Sequence, residues 1–342
     1  MAIARTKGRR QRTSPVTTKL TPMATRSQSG EPVAARHSGE FTERNYNAHL
    51  WATTMVESYE RTVKSPSVLV LLMVLFAGVL HAGWNAVAKG LSDTRTNFGL
   101  INIGVFVFSL AVLPFTGLSS GHLLWYVAAS VAIHLVYEFV LMTAYDKGDF
   151  STSYPVARGV APLLVSFAGV ALAHEHLTAW SLTGIVVVAV GIISLSWSNS
   201  ATASVEGIVW ALGTGVAIAL YTVIDGYGVR ASGHALQYGA TLFAIQSFLW
   251  VGGITVKKGF AWIPSHRVFN LGALGGVVSM VAYTIVLWAQ TKTTLGVVSA
   301  LRETGVLWAA IIAVVIFREG RAIRIVLPAA VVALGIGLLA LG

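Results

Sequence analysis

After Pro66 the chain is a succession of apolar runs of about twenty residues with short polar breaks, and nothing else in it limits the fold so tightly. At 1.5 Å per residue, about twenty residues cross the roughly 30 Å of hydrocarbon in a bilayer, where every backbone polar group needs an internal partner. The pattern predicts an all-α membrane protein with ten transmembrane helices: Ser67 to Lys89, Asn97 to Leu118, Leu123 to Tyr145, Ser153 to Leu172, Ala179 to Trp197, Gly207 to Gly228, Tyr238 to Val256, Val268 to Ala289, Leu295 to Phe317 and Ile325 to Gly342. Most breaks are too short to hold a further domain. Trp51, Trp125, Trp180 and Trp262 fall near span ends or loops, where aromatic anchors sit.

Composition agrees. Only 11% of the 342 residues are charged and 55% are hydrophobic, against about 25% charged in soluble domains. The absence of cysteine excludes disulfides, thiolate metal sites and cysteine nucleophiles. A net charge of +10 would invite nucleic acid, but eleven Lys and Arg against five Glu before Ser65 carry +6 of it. That tail, residues 1–65, has no helical or strand periodicity and reads as disordered, either solvated or touching anionic headgroups. Met23 and Met55 stand within it as alternative starts.

The remaining chain divides into two halves, 66–199 and 200–342, that resemble each other. At an offset of 144, Arg158 falls on Arg302, Glu175 on Glu319, and Val188-Ala189-Val190-Gly191-Ile192 on Val332-Ala333-Leu334-Gly335-Ile336. A repeat of five spans is odd, so the copies enter the membrane in opposite senses, as in many secondary transporters.

Polar residues inside the spans point to function, because an arginine in hydrocarbon costs about 2.5–3.5 kcal/mol and persists where it faces protein or a wet cavity. Tyr154-Pro155-Val156-Ala157-Arg158-Gly159-Val160-Ala161-Pro162 sets one arginine between two prolines, which are expected to loosen the helix. His81, Asn85 and Lys89 share a helix face with Trp84 beside it; His134 and Glu138 share another, flanked by Tyr137; Tyr154, Arg158 and Pro162 share a third. Counted along their spans, His81 lies about 12 Å from an end, Glu138 about 10 Å and Arg158 about 8 Å, so antiparallel threading brings them to one level. A Glu138–Arg158 ion pair is the expected arrangement, with His81 joining it. The second half offers Asp225, Tyr221, Tyr283, Arg302 and Glu303, of which Asp225 and Arg302 lie nearer span ends and can reach water. Arg302 and Glu303 are adjacent and point about 100° apart. Glu175 reads as a loop or helix-cap residue, and Gly272-x-x-x-Gly276 as a close helix contact.

Chemistry of other kinds has little footing. His174-Glu175-His176 lacks the i, i+4 spacing of a helical zinc site, no G-x-x-x-x-G-K-[ST] stretch is present, and no nucleophile–base spacing marks an enzyme. Neither cofactor nor metal is expected.

The stretches His81-Ala82-Gly83-Trp84-Asn85-Ala86-Val87-Ala88-Lys89 and Ala144-Tyr145-Asp146-Lys147-Gly148-Asp149-Phe150-Ser151-Thr152-Ser153-Tyr154-Pro155-Val156-Ala157-Arg158-Gly159-Val160-Ala161-Pro162, followed by Glu175 and Gly191 and by Glu319 and Gly335, resemble the drug/metabolite transporter superfamily, in particular its EamA-type members, from Ser67 to Gly342. The resemblance implies two inverted five-helix repeats around a central cavity, export of small metabolites, and a place in the cell (inner) membrane with cytoplasmic termini. Two features depart from it. Ser299-Ala300-Leu301-Arg302-Glu303 stands where the first half has its proline-flanked arginine, and positive residues in short loops favour the opposite orientation.

Together these features lead to a secondary carrier for a small polar or amphipathic metabolite, working as monomer or homodimer. Arg158 would hold an anionic group or close a gate, with Glu138 and His81 open to proton coupling and Trp84, Tyr137 and Tyr154 as walls. A membrane receptor or assembly partner that binds without transport is the alternative.

Overall fold

The computed structural model describes residues 66–89, 94–196, 204–259, 262–263, 266–315 and 323–342, which fall in one compact unit, Thr53–Gly342. The tail, Trp51 and Glu319 lie outside these residues, as do the side chains of Asn85 and Lys89.

Eleven helices form among the described residues, and no strand: α1 Val68–Lys89, α2 Thr94–Thr116, α3 Leu123–Lys147, α4 Phe150–Ala173, α5 Ala179–Ser194, α6 Val205–Ser232, α7 Ala235–Lys258, α8 His266–Gln290, α9 Leu295–Glu303, α10 Gly305–Val315 and α11 Ile323–Leu341. Each expected span is helical over its described residues, the ninth comprising α9 and α10. Seven stretches are long and apolar enough to cross a bilayer, while Val68–Trp84, Ala179–Ser194 and Ile325–Leu341 are apolar but shorter. The architecture is that of a multi-pass integral membrane protein.

Helix starts are closed where the sequence supplies a hydroxyl. Thr178 Oγ1 accepts from Ser181 N (3.0 Å) and Ser204 Oγ from Gly207 N (2.9 Å), each satisfying an otherwise orphaned donor. Ser204 Oγ also donates to Lys147 O (2.6 Å), tying the start of α6 to the end of α3.

The proline-flanked helix is not interrupted. α4 runs through Pro155 and Pro162, each of which removes one backbone bond, and packing on α5, α6 and α9 carries the helix past both. The ninth span instead carries a local tightening, at Thr304, whose backbone stays right-handed helical (φ −59°, ψ −17°). There Thr304 Oγ1 donates to Leu301 O (2.6 Å), the Thr304 N–H reaches the same carbonyl (3.3 Å), and Gly305 lets the turn lie against Gly78 of α1, whose carbonyl oxygen would be 3.0 Å from an added Cβ.

Most packing joins one half of the chain to the other. α3 and α4 pack on α6; α1 packs on α8 and on α9–α10; α2 packs on α7 and α8; α5 packs on α11. Three of these cross-half pairs are antiparallel. In α2/α7, Asn102 Oδ1 accepts from Ser247 Oγ (3.1 Å) and Thr116 O from Gln237 Nε2 (3.0 Å). In α4/α9, which also pack together, Arg158 meets Glu303 and Ser166 lies against Gly296. In α5/α11, Ser181 meets Gly342, Val188 meets Gly335 and Gly191 meets Val332. Two apolar clusters, around Val74, Ile185, Leu301 and Val332 and around Val131, Tyr238, Leu242 and Leu287, also draw on both halves.

The Gly272-x-x-x-Gly276 contact is present between α8 and α2. Leu100 covers Gly272, Gly276 lies on Ile101 O, and Gly104 of α2 lies on Ala273 O. Trp125 and Trp180 are exposed, in keeping with an anchoring position, but Trp262 is buried. Its ring packs over Gly99 and its indole N–H donates to Thr255 Oγ1 (3.2 Å), so it is a packing residue.

Candidate functional site

Eight helices, α1 to α4 and α6 to α9, contribute to one cavity of about 130 Å³. The polar faces singled out on α1, α3 and α4 do converge there: His81 and Trp84, Tyr137 and Glu138, and Arg158 all line it. Tyr283 and Arg302 join them from the second half. Tyr154 does not line the cavity; its ring lies under the Arg158 guanidinium, 5.3 Å from Cζ to centroid, where cation–π attraction helps hold the charge.

The expected Glu138–Arg158 pair is absent. Arg158 Nη1 donates to Glu303 Oε2 (3.0 Å) and Nη2 to His81 Nε2 (2.8 Å). A guanidinium can only donate, so His81 accepts through Nε2 at this contact. Arg302 reaches the same carboxylate: Nε donates to Glu303 Oε1 (2.9 Å), Nη2 lies 2.7 Å from Oε1, and Nη1 touches Thr222 Oγ1 at 3.5 Å. Glu303, only 1% exposed and lying behind the cavity wall, is shared by two buried arginines. The trio carries one uncompensated positive charge, and both arginines face the cavity. Burial corrects the expectation that Arg302 reaches water.

Glu138 is held elsewhere, by Gln246 of α7, whose Nε2 donates to Glu138 Oε1 (3.0 Å). Asn102 stands beside Glu138 as a second interacting amide and also donates to Phe98 O (2.9 Å). Glu138 Oε2 and Gln246 Oε1 are buried without a hydrogen-bond partner, and so is the Trp84 indole N–H. An aromatic cluster lines the same cavity. Tyr221 stacks on His134 (centroids 4.1 Å apart), lies edge-on to Tyr137 (5.4 Å) and has Arg302 Cζ 5.8 Å from its centroid.

Asp225 also departs from expectation. It is 0% exposed, accepting from Tyr238 Oη (3.1 Å) and Tyr283 Oη (2.5 Å), and it fixes the Tyr283 ring in the cavity wall without lining the cavity itself. Gln246 and Asn102 belong to the site and were not singled out from sequence, although each is a lone amide inside an apolar run.

Glu175 is a cap, as expected, but for a helix of the other half. Both its carboxylate oxygens accept from Leu295 N at the start of α9 (3.0 Å each), and Oε1 also accepts from Arg230 Nη2 (3.0 Å). Arg230 donates in addition to Gln290 O (2.7 Å) and Thr293 O (3.0 Å), so the clasp joins the α4–α5 loop, the end of α6 and the start of α9. Glu175→Ala leaves the Leu295 N–H buried without its acceptor and is expected to lower stability by about 1–3 kcal/mol, read from thermal unfolding in detergent.

No family model matches the chain, and no curated protein matches it. A solved crystal structure of a protein superposes with a TM-score of 0.67 at 16% identity, covering 81% of this chain and 99% of that one. At that identity the likeness establishes the fold alone.

Proposed function

We propose that the chain is a secondary transporter that moves a small polar or amphipathic metabolite by alternating access, in the outward direction, in the manner of EamA-type drug/metabolite transporters. One observation carries the reading: two buried arginines, from α4 and α9 and sharing Glu303 behind the wall, face a cavity built from both halves of the chain. Such intramembrane charges are costly, and substrate or ion pathways are where they are found.

The packing supports two inverted repeats. Exchanging the first five helical spans for the last five converts α3 on α6 into α8 on α1, and α4 on α6 into α9–α10 on α1. The contacts Val188–Gly335 and Gly191–Val332 exchange with each other at the offset of 144, and the corresponding helices α2/α7, α4/α9 and α5/α11 run in opposite senses.

The test is a flux screen in liposomes loaded with a metabolite mixture, with and without an imposed pH gradient. Arg158→Ala is expected to cut flux by about tenfold or more, since it removes a cationic contact worth about 1.5–3 kcal/mol. A folded Arg158→Ala protein with the parental rate would take the arginine out of the mechanism. Saturable binding with no flux of any compound would favour a receptor instead.

A further inference from the structure

Resting on the transporter reading above, we infer that Glu175 and Arg230 form the latch of a gate at the end of the bundle where α4, α6 and α8 finish, and that its release parts α4 from α9 and opens the cavity to that end. The carrying observation is what the pair holds. Glu175, its side chain 0% exposed, is bonded to Arg230 in the last turn of α6 (3.0 Å), and each of the two grips the α8–α9 corner by a different pole. The Glu175 carboxylate accepts from Leu295 N at the start of α9, where a helix end is positive. The Arg230 guanidinium donates to Gln290 O at the end of α8, where a helix end is negative, and to Thr293 O. Hydrogen bonds to charged groups are roughly twice as strong as neutral ones, so one ion pair holds a whole helix corner.

The latch lies between two groups of helices. α3, α4 and α6 pack on one another, as do α1, α8, α9 and α10; Glu175 and Arg230 stand at the ends of the first group, whereas Gln290, Thr293 and Leu295 form the corner of the second. The Lys147–Glu206 pair at the other end of the bundle is no counterpart, because it joins α3 to α6 within one group and is half exposed. Beneath the latch the contact is polar. Gln290 Nε2 and Oε1, Thr294 Oγ1 and Ser299 Oγ are buried without hydrogen-bond partners. In a permanently closed contact such atoms only cost stability, whereas in a seam that opens, water satisfies them each time it parts. The seam leads to the cavity. Gly296, Ser299 and Glu303 share the face of α9 that meets α4, Gly296 lying against Ser166 and Glu303 bonded to Arg158. Arg302, which lines the cavity, is about 10 Å along α9 from Leu295.

The chain has no cysteine, so Ser299→Cys puts a single thiol in the seam, and Ser109→Cys, at a buried serine of α2, serves as the control. Each protein, purified in detergent, would be reacted with a charged methanethiosulfonate and its labelling rate followed by mass spectrometry. Arg230→Gln is expected to raise the rate at Ser299→Cys by about tenfold or more, which is about 1.4 kcal/mol in the opening equilibrium, and to leave Ser109→Cys within about twofold. Glu175→Gln gives the same pattern and takes its place should the first variant fail to fold. The latch is overturned if the folded variant labels Ser299→Cys at the parental rate. It is equally overturned if Ser109→Cys gains as much, since the whole bundle would then have loosened. The two readings fail separately. Faster labelling in a protein that moves no compound across liposomes would remove transport and leave an opening seam, whereas flux together with parental labelling in Arg230→Gln would remove the latch and leave transport.

Discussion

Glu303→Gln is expected to destabilise the protein by about 3–5 kcal/mol, because it leaves two buried guanidiniums facing each other with no carboxylate to separate them. Thermal unfolding in detergent measures the loss. The double variant Glu303→Gln with Arg302→Gln supplies the sign. If uncompensated charge is the cause, removing one arginine restores part of the stability, and the double variant melts above the single one. A double variant that falls below the parent by the sum of the two separate losses would show that Glu303 contributes through packing and not through charge. Flux should fall in both, since the geometry of Arg158 depends on the same carboxylate.

The second large effect is steric. A side chain at Gly104 would run into the carbonyl of Ala273, and one at Gly276 into the carbonyl of Ile101, so both positions allow α2 and α8 to touch backbone to backbone. Gly104→Val is expected to cost more than the 1–3 kcal/mol typical of overpacking, because backbone on the facing helix cannot rotate out of the way as a side chain can, and to abolish a monodisperse peak in size-exclusion chromatography. Gly252→Ala and Gly337→Ala are the controls. Nothing lies within 4 Å of a Cβ at either, and both should leave the melting temperature unchanged or raise it slightly through better helix propensity. Equal losses at all four positions would mean that the close approach is not what the glycines serve.

Much of this was legible in the sequence. The apolar runs gave the helices, because backbone in hydrocarbon has few alternatives to a helix, and helical spacing gave the faces of His81, Glu138 and Arg158 that meet in the cavity. The partners were not legible. Period and depth state which way a side chain points and at what level, but not which helix stands opposite, and so Arg158 was matched to Glu138 when Glu303 lies nearer. Distance from a span end misled for Asp225, which is sealed by Tyr238 and Tyr283, and for Arg302, which turns back on its own neighbour. Gln246 and Asn102 gave the same signal as the charged residues at lower amplitude, since an uncharged amide costs less to bury and is easier to read past. The two prolines that stand out lie within a continuous helix.

One short helix has a mechanical consequence. α9, nine residues and so about 13 Å long, is fastened at its first residue to Glu175 in the α4–α5 loop and at its last to Arg158 of α4. It is a strut bolted across the two halves of the chain, so, while both fastenings hold, any displacement of α4 would have to carry this rod along.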